Sequence, residues 1–328
     1  MRRVRILVFV GVCALLVTGC GAANSIVNPK GSEAKSIAGI WWVAFGLATF
    51  VYVVVSGLII YAITRGHRKG ARTSGLRENS FIWVGGVIVP VLILAVIAVL
   101  TVQTTASLRA ASPDELHIDV TGKLWWWGVR YPASGIVTAN ELHLPAGQPV
   151  DIHLTSDNVV HSFWVPQLAG KEDVIPGQPN DLRFTAKTVG TYIGECAEFC
   201  GLQHAHMGFR VVVQTPADFG RWVARRQIAP SEPVSDEAAK GATIFDAQAC
   251  AGCHTIRGTS ANGKVGPDLT DFGSRPTIGA GALENNQQNL EKWIRDAPAI
   301  KPGTAMPSFR SLSEGDIAAI TAYLESLK

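Results

Sequence analysis

The densest chemistry in the chain sits in Cys196-Ala-Glu198-Phe-Cys200-Gly-Leu-Gln-His204-Ala-His206-Met207. Two thiols, imidazole and a thioether fall within a few turns of chain. Soft sulfur with imidazole is the ligand set that copper prefers, whereas calcium and magnesium want oxygen. The spacing alone leaves plainer roles open. Cys196 and Cys200 could form a disulfide in an oxidising compartment, the cluster could bind zinc, and Met207 could be a core methionine. A second group of sulfurs lies downstream at Cys250-Ala-Gly-Cys253-His254.

Sulfur is otherwise used sparingly. The six cysteines are Cys13, Cys20, Cys196, Cys200, Cys250 and Cys253, and each falls in a motif or in the leader. Besides Met1, the methionines are Met207 and Met306, each placed where a metal ligand is expected. A chain with so little methionine is not using it as core filler.

The first cluster resembles the binuclear copper (CuA) motif of subunit II of haem–copper oxidases, C-x-E-x-C-G-x-x-H-x-x-M. The upstream segment His161-Ser-Phe-Trp-Val-Pro166 resembles the extended stretch that supplies a further histidine in that family. The resemblance implies that Cys196 and Cys200 bridge two coppers and that His161 and His204 cap one each. It implies that Met207 is a weak ligand and that Glu198 ligates through its carbonyl. The Glu198 side chain would help hold magnesium at the interface with the catalytic subunit. His206 stands at the wrong step for the motif and is read as a non-ligand. In Gly122-Lys-Leu-Trp125-Trp126-Trp127-Gly-Val-Arg-Tyr131, neighbouring strand residues face opposite sides, so at least one tryptophan should be exposed. The resemblance makes Trp125 the place where electrons come in from cytochrome c.

Cys250-x-x-Cys253-His254 is the c-type haem attachment pattern: two thioethers, with His254 as the proximal iron ligand. A thioredoxin-like pair is the alternative, and the adjacent histidine argues against it. No histidine follows His254, and Met306 is the one later methionine, in Lys301-Pro302-Gly-Thr-Ala-Met306-Pro307. Met306 is therefore the expected sixth ligand. Gly266-Pro267-Asp268-Leu269 and a closing helical run at 313–327 make this part similar to class I cytochrome c.

These groups need a scaffold. Residues 1–20 read as a signal peptide, with Arg2, Arg3 and Arg5 before an apolar run. Val17-Thr-Gly-Cys20 resembles a lipobox, which implies lipidation at Cys20. Residues 21–111 form a tether and a transmembrane hairpin, with uncharged spans at about 37–63 and 81–108, each longer than the ~20 residues a bilayer needs. The intervening Arg65, Arg68, Lys69, Arg72 and Arg77 make that loop cytoplasmic. The chain beyond Arg109 is then extracytoplasmic, on the outer face of a bacterial plasma membrane. In many relatives of this type a Glu opens the second span for proton uptake. Glu78 is out of step with Trp83 for that role and reads better as a solvated carboxylate.

Residues 112–228 show short alternating runs, at Leu116–Val120, Glu141–Leu144, Val150–Thr155, Asp181–Ala186, Thr191–Glu195 and Gly208–Val213. With turn signals between them, they predict short antiparallel strands in a sandwich or barrel. The resemblance makes it a cupredoxin-like Greek-key barrel. Residues 229–235, with Pro230 and Pro233, read as a linker, and 236–328 as an all-α cytochrome c domain.

Charge follows this division. Residues 1–111 carry 11 Lys/Arg against 2 Asp/Glu, while 112–230 and 231–328 each carry 9 against 12. The basic excess flanks apolar spans, so it reports topology rather than nucleic-acid binding. Taken whole, the chain resembles subunit II of a proton-translocating cytochrome c oxidase with a fused cytochrome c. It would pass electrons from a cytochrome c or another respiratory complex through haem c to CuA. Subunit I, alongside further membrane subunits, would reduce oxygen to water. The chain itself has no catalytic residue for that reaction. A nitric oxide reductase subunit and a membrane-tethered copper-binding protein are the competing readings. A covalent haem argues against the second.

Overall fold

The computed structural model describes residues 24–65 and 75–328, without the side chains of residue 65 and residues 75–78. The leader 1–20 with Cys20, the basic side chains of the loop from Arg65 to Arg77, and the Glu78 side chain lie outside the described residues. The remainder forms two compact units, residues 33–110 and residues 111–328 with the short segment before Glu33.

The first unit is helical. Helix α1 spans Ser32–Arg65. Helix α2 (Gly75–Trp83) runs through a π-helical stretch, Val84–Ile88, into α3 (Val89–Leu108). Pro90 has no N–H to return to the preceding turn, and the helix widens just before it. Ser32–Thr64 and Asn79–Leu108 are both long and apolar enough to cross a membrane, and the described residues leave their apolar stretches uncovered.

The second unit begins with a β-sandwich. One sheet has the order β3-β2-β1-β5-β8 and the other β4-β10-β9-β6-β7. The strands are β1 Leu116–Lys123, β2 Trp126–Tyr131, β3 Ile136–Ala139, β4 Glu141–Pro145, β5 Pro149–Ser156, β6 His161–Trp164, β7 Glu172–Val174, β8 Asn180–Thr185, β9 Gly190–Cys196 and β10 Gly208–Gln214. Alternation sorts their faces: Ile118, Val120, Val211 and Val213 turn inward while their neighbours meet solvent. Strands β3 and β7, of four and three residues, are too short to show a period in the sequence. The pairing departs from the antiparallel expectation in two places: β1–β5 and β4–β10 run parallel. A Greek-key chain closing a two-sheet sandwich brings such strands side by side by crossing between sheets.

The chain then turns helical: α4 (Pro216–Arg226), α5 (Asp236–Ala247), α6 (Cys250–Cys253), α7 (Gln287–Ile300) and α8 (Glu314–Ser326), with a small ribbon of β11 (Thr277–Ile278) and β12 (Leu283–Glu284). Four helices begin on a side-chain cap. Thr215, Ser235, Asn286 and Ser313 each accept from the amide three residues on, at 3.0–3.1 Å. A second apolar core forms here around Phe245, Leu290, Ile294, Ile320 and Tyr323. The architecture is thus two candidate membrane helices, a cupredoxin-like β domain and a helical cytochrome c domain.

Candidate functional site

Three β elements converge on the sulfur cluster. Strand β6 opens with His161 and pairs with β9, setting Phe163 opposite Cys196. The loop between β9 and β10 carries Cys200, His204 and Met207. The hairpin between β1 and β2 turns at Leu124-Trp125.

His161, Cys196 and Cys200 are buried, and their ligand atoms lie within 4.8 Å of one another. The two Sγ atoms are 3.8 Å apart, and both thiols are free. A disulfide needs about 2.05 Å, so that pairing is not formed. His161 Nδ1 stands 3.9 Å from Cys196 Sγ, and His204 Nδ1 stands 3.7 Å from Cys200 Sγ. Met207 Sδ is 3.8 Å from Cys200 Sγ, and the Glu198 carbonyl oxygen is 3.3 Å from Cys196 Sγ. The Glu198 side chain is exposed. His206 turns away, its Nδ1 2.9 Å from Gln203 Oε1. The structure therefore gathers all six predicted copper ligands and leaves out the histidine read as a non-ligand.

The electrostatics suit a cation. Burial pushes the Cys200 thiol up to about 12, with Cys196 adding to the effect. Two thiols so placed ionise readily only with positive charge between them. Burial, with His204 beside it, lowers His161 to about 4, so its ring is neutral and has a lone pair to give. Asn158 Oδ1 lies 3.3 Å from His161 Nε2 and can accept its proton, which turns Nδ1 toward the sulfurs. Soft donors in two Cys–His pairs, with a thioether and a carbonyl at the sides, fit a two-copper centre.

Several supporting residues escaped the sequence reading. Trp127 packs edge-on against His161, with ring centroids 5.8 Å apart, and donates its indole N–H to Met207 O at 3.3 Å. Gly122 leaves room for the His161 ring, which a Cβ there would meet at 2.7 Å. A lone glycine inside an alternating strand was the available signal.

The tryptophan expectation needs correction. None of Trp125, Trp126 and Trp127 is exposed: Trp125 is 8% accessible, Trp127 is fully buried and Trp126 is partly covered. Strand β2 starts at Trp126, so alternation does not govern Trp125, and the helical part of the same unit covers it. The Trp125 indole N–H donates to Cys200 O at 2.9 Å, and Gly303 lies against its ring.

One cavity joins the two halves of this unit. Cys250, Cys253, His254 and Met306 line it, together with apolar Phe245, Leu269 and Ile294. Leu124, Trp125 and Trp126 form part of its wall from the β side. His254 Nδ1 donates to Pro267 O at 2.8 Å, which leaves Nε2 as the free donor to a metal. Burial lowers the His254 pKa, partly countered by that carbonyl. A Cβ at Gly266 would strike the His254 ring at 2.5 Å, so glycine shapes this side of the cavity. Two thiols, a neutral imidazole and a thioether around an apolar slot fit a c-type haem.

Comparison with known proteins accords with this geometry. Residues 133–215 match the cytochrome c oxidase subunit II periplasmic domain family, and residues 238–328 match the cytochrome c family. Cytochrome c oxidase subunit 2 of Alkalihalophilus pseudofirmus is 34% identical over 96% of this chain and 94% of its own length. The chain belongs to the cytochrome c oxidase subunit II family. Quinol oxidase subunit 2 of Bacillus spizizenii is 32% identical over a shorter stretch, 64% of this chain and 68% of its own. The periplasmic domain of subunit II of the Bradyrhizobium japonicum cytochrome oxidase aligns over 36% of this chain and 97% of its own, at 28% identity and a TM-score of 0.35. Membership in the subunit II family implies copper at CuA, and the cytochrome c match implies haem. A subunit II associates with subunit I of its oxidase, and the apolar helices are consistent with anchoring in a membrane.

Proposed function

We propose that this subunit collects electrons on a covalent haem c and passes them through the Trp125 region to a binuclear CuA centre, which feeds the oxygen-reducing haem–copper centre of subunit I. Cys250 and Cys253 would hold the haem by thioethers, with His254 and Met306 as axial ligands. His161, Cys196, Cys200, His204, Met207 and the Glu198 carbonyl would hold the coppers. When bound, these groups would supply one-electron redox chemistry, which asks the residues that hold them to move no proton and break no bond. The protein's part is to hold ligands in a rigid sandwich and keep water from the path.

The observation carrying this reading is Trp125. It lines the cavity of His254 and Met306, and its indole hydrogen-bonds the backbone of Cys200. One residue thus touches both candidate centres. The attached haem also replaces a diffusional encounter with a high local concentration. The exposed Glu198 carboxylate would add magnesium at the subunit I interface, Cys20 would carry lipid, and both metal domains would face the extracytoplasmic side. The cytochrome c match and the sulfur ligands favour this input over a quinol.

The test is metal analysis with copper EPR on the purified oxidase. Two coppers with a delocalised mixed-valence signal, and one haem iron surviving denaturing electrophoresis, are expected. A single copper or a zinc ion would sink the CuA assignment. Trp125→Phe should keep both centres loaded and slow electron transfer between them.

A further inference from the structure

Lys301 begins the segment that ends at Met306, immediately after α7. Its side chain is 3% exposed. The ammonium donates to three backbone carbonyls: Trp125 O at 2.8 Å, His206 O at 2.6 Å and Gly279 O at 2.8 Å. The first two belong to the β domain, Trp125 in the β1–β2 hairpin and His206 within the copper loop, and the third to the helical domain. A buried ammonium is costly unless its three protons find acceptors, and here all three do. The carbonyls offset only part of its desolvation, which draws its pKa down to about 8 against the pull of the Cys200 thiol, so the ammonium keeps its charge at neutral pH. Arginine's flat fork would not reproduce this three-way arrangement.

The neighbouring residues share the work. Gln203 Nε2 donates to Pro302 O at 3.0 Å, and Gly208 N donates to Ala280 O at 3.0 Å. A Cβ on Gly303, whose φ is +85°, would stand 3.1 Å from the Trp125 ring. The segment thus holds Trp125 at two points, Lys301 at its carbonyl and Gly303 at its ring, and the indole is itself tied to Cys200 O.

We infer that Lys301 is a positioning residue, one that locks Trp125 and the copper loop onto the haem domain and whose fixed charge raises the reduction potential of the copper pair. A positive charge beside a centre favours the state with one more electron. The inference rests on the copper and haem assignments above, so those are checked first in the same preparation.

The experiment compares wild-type oxidase with Lys301→Met, which keeps length and removes charge. Copper EPR and the haem spectrum establish that both centres are loaded; if wild type lacks them, it is the earlier assignment that fails. With both loaded, the variant should show a lower copper midpoint potential. Haem-to-copper electron transfer after rapid photoreduction should slow about tenfold or more, as expected when a reacting pair is mispositioned. An unchanged copper midpoint potential together with a rate within about twofold of wild type would overturn the proposal. If the variant loses its metals, acetylation of wild-type oxidase read by mass spectrometry decides. Lys301 should react at least about tenfold more slowly than the exposed Lys264, and equal reactivity would refute a buried lock.

Discussion

His161 shows how much a single ring depends on its surroundings. Strand β6 brings it to Cys196, Gly122 makes room for it, Trp127 supports its edge, and Asn158 settles which nitrogen is free. Asn158→Ala should therefore weaken copper binding by roughly 10–100-fold, the usual cost of losing an outer-shell partner, as measured by copper retention against a chelator. Met306→Ala should leave the haem attached, since Cys250 and Cys253 are untouched. It should turn the iron high-spin and lower its potential, both visible in a redox-poised absorbance titration. At this scale the sequence was most informative, because sulfur and imidazole announce themselves by type and spacing. Trp125 shows the limit. Its identity was legible, but its burial draws on Gly201 in the copper loop and on Gly303 and Lys301, the last two more than 150 positions away. No local period reports such a contact.

Among the elements, α4 and the edge strand β4 carry a polar junction with the helical domain. Arg226 in α4 pairs with Asp271 at 2.6 Å, both nearly inaccessible. Breaking a buried pair leaves one charge unanswered, so Asp271→Asn should destabilise by about 3–5 kcal/mol in denaturant titrations. Glu141 in β4 sits 3.2 Å from His143 Nε2, within the field of Arg226 and Arg275. Burial alone would raise its pKa, yet His143 and the two guanidinium groups bring it below the ordinary carboxylate value of 4.5. An acid depressed in the folded state stabilises fully above its unfolded pKa and loses that contribution as the pH falls through the lower folded value. The gap in Tm between wild type and Glu141→Gln should thus be constant above about pH 5 and shrink below pH 4.5. The alternating strands were readable beforehand, but β3 and β7, at four and three residues, were not, their faces being set by tertiary neighbours. The parallel β1–β5 and β4–β10 pairings were equally hidden, since a strand's period does not name its partner.

Across the whole molecule, each of the two cores in residues 111–328 is closed by apolar side chains, but the surface joining them is held by charges and carbonyls. Polar junctions of this kind fix orientation more than they add stability. The cover over Trp125 has a consequence for traffic. A diffusing donor meets little of Trp125, which is 8% accessible with Lys301 on its carbonyl and Gly303 against its ring. On the wall of the cavity that His254 and Met306 line, Val265 is 66% exposed. Under the proposed route the tethered haem, rather than a passing cytochrome, is the partner that meets the indole, so a soluble donor would deliver to the haem and leave the tryptophan to its resident neighbour.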